Sequence, residues 1–228
     1  MHTIFDPFNL VLIGIAAFIF WRLKSVLGTR TGHERPPVEM RPKPAPQPAS
    51  ATPDLPPSHP QPEAPKIPVW QGHAPEGSPD AKALEAIATA DAHFTVPYFL
   101  DGARSAYEMI THAYAQGDKA ELQPLLASDV YEGFSQAIDG RAKLGETMES
   151  KLVAITSAAI EGVELNGKRA SITIRFVSEF ITARKSRQGE VLEGDPKKIR
   201  EITDIWTFER DLRSRDPNWR LAATDAPS

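Results

Sequence analysis

RASITIRF, Arg169–Phe176, is the stretch that decides the fold class. Ala170, Ile172, Ile174 and Phe176 alternate there with Arg169, Ser171, Thr173 and Arg175. Successive side chains of an extended strand point to opposite faces, so the alternation predicts a strand with one buried and one polar face. Just upstream, Asn166-Gly167 predicts a tight type I′ hairpin turn. Leu152–Val163, rich in β-branched and apolar residues, predicts the other arm of that hairpin. Downstream, Ile202, Asp204, Trp206 and Phe208 share one face of a further strand, against Glu201, Thr203, Thr207 and Glu209. A last short strand is expected to hold Trp219 and Leu221.

Before Gly145 the apolar spacing is three and four residues, the period of a helix face. Ser78-Pro79-Asp80 supplies a cap, a first-turn proline and an acid, opening a short helix through Leu84 and Ile87. Thr95-Val96-Pro97 starts a longer one that ends at Gln116-Gly117, with Phe99, Ala103, Ala106, Ile110, Ala113 and Tyr114 as its core stripe. Asp118 and Glu121 predict the start of a third helix carrying Leu122, Leu125 and Leu126. Ser128-Asp129 predicts a fourth that buries Val130, Phe134 and Ile138. Helices first and strands afterwards give an α+β domain over residues 80–228, with the helices packed on one side of a curved antiparallel sheet.

Residues 29–79 cannot build a core. Fifteen of the chain's 21 prolines fall within Pro36–Pro79, and each fixes φ and removes a backbone donor. The expectation is a disordered spacer that holds the domain roughly 35 Å or more from whatever precedes it. Val69-Trp70 is a lone apolar pair within it, readable as a transient docking site.

Residues 1–28 read as a transmembrane anchor. Leu10–Trp21 is apolar throughout, with Leu10, Ile13, Phe18 and Trp21 facing lipid. A helix from Ile4 to Leu23 would be ~30 Å long, the thickness of the hydrocarbon core. Asp6, Asn9 and Arg22 then sit near its ends, where snorkelling makes polar groups tolerable. A secretory signal would carry basic residues before the apolar run, whereas the first charge here is Asp6. Arg22, Lys24, Arg30 and Arg35 follow the span, so the N-terminus is expected outside and the domain on the cytoplasmic side of an inner membrane.

The balance of charge and residue types narrows the function classes. Residues 81–228 carry 23 acidic and 19 basic residues, a net charge of −4, which argues against nucleic acid as the main partner. Cysteine is absent, so thiol catalysis and thiolate metal sites are excluded. His93 and His112, the histidines of this region, are not at metal-ligand spacing. With no nucleotide loop, nucleophile–base pair or metal cluster in view, the expectation is a protein that is not an enzyme and needs no cofactor.

FLDGARSAYEMITHAYAQGD (Phe99–Asp118), ITIRFVSEFITA (Ile172–Ala183) and EITDIWTFERDLRSRDPNWRLAAT (Glu201–Thr224) together resemble the Tim44-like domain family. The plan of span, proline-rich linker and C-terminal domain is similar to that of the family's bacterial members. The resemblance implies a cone-shaped fold similar to nuclear transport factor two, enclosing an apolar pocket. It also implies a role at the inner membrane in protein transport, contact with acidic lipid, and tethering of a seventy-kilodalton heat-shock chaperone. Members of the mitochondrial branch carry a chaperone-binding N-terminal region in place of such a span.

Two sets of residues are candidate sites. Phe176, Asp204, Trp206 and Phe208 would line the cone and bind a lipid or small molecule, or else form plain core. Asp204 is a carboxylate on an apolar face, expected to be satisfied by an arginine such as Arg210 or Arg220 or by backbone donors; an isomerase or dehydratase would use it as general base. The second set is Arg184, Lys185, Lys197 and Lys198, a basic loop region able to contact an anionic bilayer alongside the anchor residues Arg22 and Lys24. The apolar face of Ala81–Ala90 is an alternative docking surface.

Overall fold

A computed structural model describes residues 67–225. The anchor expected over residues 1–28, with Leu10, Ile13, Phe18, Trp21, Arg22 and Lys24, lies outside the described residues, as does most of the 29–79 linker. Among the described residues no helix is long and apolar enough to cross a membrane.

The helical half follows its start and stop residues. Helix α1 (Pro79–Ala90) is capped by Ser78, whose Oγ accepts from the N–H of Ala81 at 3.1 Å, and it buries Ala81, Leu84 and Ile87. Helix α2 (Val96–Gln116) is capped by Thr95 and ends at Gly117, whose φ of 75° lets the Asp118 N–H reach back to the Ala113 carbonyl. Its buried stripe runs through Phe99, Ala103, Tyr107, Ile110 and Ala113. Helix α3 (Lys119–Leu122) is a single turn, capped by the Asp118 carboxylate. It stops short of Leu125 and Leu126 because Pro124 has no N–H to continue the ladder. Leu126 instead bridges to Leu221, with the Ala127 N–H donating to the Leu221 carbonyl at 2.8 Å. Helix α4 (Ser128–Leu144) buries Val130, Phe134 and Ile138; its cap position is Ala127, which makes no side-chain bond, so Ser128 lies inside the helix.

The strands are β1 (Thr147–Asn166), β2 (Arg169–Lys185), β3 (Val191–Gly194), β4 (Arg200–Asp211) and β5 (Arg220–Asp225). The antiparallel sheet has the order β1-β2-β4-β5, with β3 also paired to β2. The β1–β2 turn falls one residue later than its sequence suggests. Asn166 pairs with Arg169, leaving Gly167 and Lys168 at the centre, and only the glycine has positive φ. A type I′ turn needs positive φ at both central residues, so the turn is of the kind with glycine first. Trp219 lies just before β5 rather than in it.

Strand β1 carries three one-residue register shifts, placing Val153, Thr156 and Glu161 as bulged residues. Each bulge bends its strand and adds twist, which curves a 20-residue strand around the helices. The inner face of the sheet then meets α2, as Phe99 packs edge-on to Phe208 and Tyr107 stacks on Phe176. On the other face Thr173 and Thr207 share a hydroxyl bond of 2.9 Å, and Arg175 pairs with Glu161. The chain before α1 is also part of the fold. Val69 and Trp70 form a turn packed on the core, and Trp70 Nε1 donates to Glu85 of α1 at 2.7 Å. The pair read as a transient docking site is occupied by its own domain.

Candidate ligand cavity

Antiparallel pairing of β2 and β4 sets Phe176 opposite Asp204 and Ser178 opposite Ile202. Residues i and i+2 of a strand share a face, so Phe176, Ser178 and Asp204 all point inward, beneath α2. Tyr107 descends from that helix onto them. Its hydroxyl donates to Asp204 Oδ2 at 2.6 Å and lies 2.8 Å from Ser178 Oγ. The tyrosine proton is committed to the carboxylate, so Ser178 donates to Tyr107 and a polarised chain runs Ser178, Tyr107, Asp204. Burial pushes the Asp204 carboxyl above its ordinary range, and the Tyr107 hydrogen bond only partly offsets this. Burial, then the charge of Asp204, pushes the Tyr107 phenol up in turn. The shared proton therefore stays on the tyrosine.

Neither arginine expected beside Asp204 is there. Arg210 Nη1 bonds Asp91 at 2.6 Å, and Arg220 lies 3.5 Å from Asp216. Arg210 lies in β4 at an even offset from Asp204, yet its partner is the residue that ends α1, so the ion pair ties helix to sheet.

Beside the chain lies a cavity of about 70 Å³. Asp204 and Trp206 line it, together with the aromatic rings of Tyr107, Tyr114, Phe134 and Phe180. Phe176 and Phe208 do not: both are buried in the core, Phe176 under the Tyr107 ring and Phe208 against Phe99. Thr111, Ser150, Thr182 and Thr224 are also among its lining residues. The Thr111 hydroxyl donates to the Tyr107 carbonyl at 2.8 Å, and the Thr224 hydroxyl is buried away from the cavity. His93 and His112 are exposed and outside it. Among the described residues there is no group of three metal-ligating side chains.

The sequence reading missed Tyr107, Ser178 and Thr224. Tyr107 was within reach: it sits four residues after Ala103 and three before Ile110, on the same stripe. Ser178 continues the period of two that begins at Ala170, but a serine at an inward position looks like the end of a strand.

The Tim44-like domain matches residues 80–226. The chain belongs to this family. Among curated relatives, subunit TIM44 of the mouse mitochondrial import inner membrane translocase is 22% identical over 151 residues, 65% of this chain and 33% of that protein. The Arabidopsis thaliana subunit TIM44-1 is 22% identical over 147 residues, 62% of this chain and 31% of that protein. The chain thus spans about a third of the length of these relatives. Solved structures are more distant. The intermembrane space region of chloroplast ARC6 has a TM-score of 0.40 at 12% identity, covering 56% of this chain and 95% of that one. A nuclear transport factor 2-like protein from Salmonella enterica scores 0.31 at 13% identity, covering 54% and 87%.

In this Tim44-like domain the basic residues of the second candidate set differ from one another. Arg184 is partly buried and clamped between Glu146 at 2.7 Å and Glu193 at 3.0 Å. Lys185 bonds Glu149 at 2.6 Å. Lys197 and Lys198 are exposed in the turn between β3 and β4, and exposed Val191, Leu192 and Ile199 flank them in sequence. Ala81, Leu84 and Ile87 of α1 pack into the domain, so the apolar face of that helix is used internally.

Proposed function

We propose that the chain is a non-enzymatic adaptor in protein translocation or membrane-complex assembly, holding partner proteins at the cytoplasmic face of an inner membrane. Membership of the Tim44-like family carries this reading, since the relatives are named as inner-membrane translocase subunits. Residues 1–28 are the anchor, and the proline-rich chain between them and the packed Val69-Trp70 turn is the tether, which raises the domain's effective concentration beside membrane partners. Lys197 and Lys198, with exposed Val191, Leu192 and Ile199 nearby, suit a face that lies on anionic lipid or a membrane partner. Arg184 and Lys185 have their charge met by Glu146, Glu193 and Glu149, and add little to that attraction. A photo-cross-linking residue at Ile199 of the full chain, activated in intact membranes, is expected to capture a membrane or translocation protein. The same probe at Thr207, on the polar face of the sheet, is the control. Equal labelling from both positions, or none, would remove the adaptor reading.

A second reading, lipid or small-molecule binding, draws on one observation: an apolar cavity with a buried carboxylate. As a general base, Asp204 would need to accept a proton with one oxygen already bonded to Tyr107, and no histidine lines the cavity to assist it.

A further inference from the structure

We propose that the cavity beside Tyr107 is a binding site for an organic ammonium ion, either a free amine or the headgroup of an amine-bearing lipid. The inference rests on the second reading above, that the cavity takes a ligand, and is independent of the adaptor role. The first observation is a carboxylate without a counter-ion. Among the described residues the hydrogen bond to the mostly buried Asp204 carboxylate comes from a neutral phenol, and no lysine, arginine or histidine lines the cavity. Burying a carboxylate without a cation is costly, and the usual remedy, an arginine, is diverted to Asp91. The second is the wall. Tyr107, Tyr114, Phe134, Phe180 and Trp206 line the same cavity as that carboxylate, and an aromatic ring attracts a cation set over its face. The space, about 70 Å³, is several times the ~10–15 Å³ that one ordered water needs.

One cation touches the lining from another side. The Arg141 guanidinium lies 4.7 Å from the centre of the Tyr114 ring and donates to Met148 Sδ at 3.1 Å. It is held there by the Tyr114 carbonyl at 2.6 Å and does not reach Asp204. It disfavours a second positive charge on the ligand and tolerates a neutral or anionic far end.

Calorimetric titration of the full chain in nanodiscs tests this with choline, ethanolamine and 3,3-dimethylbutan-1-ol, the uncharged carbon analogue of choline. Discs of phosphatidylglycerol carry no amine; discs containing phosphatidylethanolamine or phosphatidylcholine supply the lipid-borne source. Choline or ethanolamine is expected to bind at least about tenfold more tightly than the neutral analogue. Asp204→Asn, which keeps an acceptor for Tyr107, is expected to erase that preference. If free amines fail but one amine-bearing lipid per chain is retained in native mass spectra, and lost in Asp204→Asn, the headgroup is the ligand. Equal binding of choline and its neutral analogue would overturn the ammonium assignment while leaving a ligand cavity. Binding of none, with no retained lipid, would overturn both.

Discussion

Asp91 and Asp204 are two carboxylates with opposite fates, and their partners explain why. At Asp91 burial opposes ionisation, but the His93 N–H and the Arg210 guanidinium outweigh it and hold the carboxyl below its ordinary range. At Asp204 the partner is a phenol with no charge to offer, and burial prevails. A carboxyl lowered by folding stabilises the native state above its unfolded value of 3.8, and that contribution fades as pH falls through the lowered value. A carboxyl raised by folding acts in reverse, so Asp204 favours the native state more as pH falls from above its raised value towards 3.8. Arg210→Ala should therefore cost about 3 kcal/mol at neutral pH in chemical denaturation, because it strands the mostly buried Asp91. The difference from the wild type should shrink below pH 3.8. An unchanged cost down to pH 2 would mean that lost packing, and not the ion pair, was measured. Sequence spacing placed Asp204 on the inner face, but Tyr107 was not among the arginines and backbone donors expected to satisfy it, because residues 97 positions apart leave no local trace of meeting.

Among the elements, the helices and β2 were legible because each has a strict period and a start or stop residue with a local cause. What was not legible came from single backbone groups. Pro124 ended α3 after one turn, and three bulges at Val153, Thr156 and Glu161 bent β1, where apolar and polar residues mix without a strict period of two. The β2–β3 connection depends on a close approach of the same kind. Gly194 has a φ of 79°, and a Cβ there would stand 2.2 Å from the Thr182 carbonyl oxygen. Gly194→Ala must displace backbone, beyond the roughly 1–2 kcal/mol that left-handed geometry costs a residue with a Cβ. Hydrogen exchange should report it as lost protection in β3 and at Asp195, whose N–H donates to Thr182, with β1, β2 and β4 still protected near Trp206. Unchanged exchange would show that β3 is not held by this contact.

At the scale of the whole molecule, the division into residues 1–28, 29–79 and 80–228 rests on composition, and the fold adds a segment to the last of these. Val69, Trp70 and Ala74 pack against the core, and the Asp80 carboxylate accepts from the Val163 N–H, fastening α1 to the edge of β1. A fragment starting at Ile67 should be more stable than one starting at Pro79 by about 1–3 kcal/mol, the burial of one large side chain. Equal melting of the two fragments would return the boundary to Pro79. By itself the sequence determined the order of helices and strands, the inward faces of β2 and β4, the α+β class and the family. Those follow from periodicity and local backbone chemistry, which neighbouring residues carry among themselves. Only the tertiary structure decided that Tyr107 satisfies Asp204, that Arg210 serves Asp91, and that a cavity remains beside them. Such pairings depend on strand register, on sheet curvature and on how deep α2 sits, quantities set by the sum of packing contacts and by no single stretch of chain.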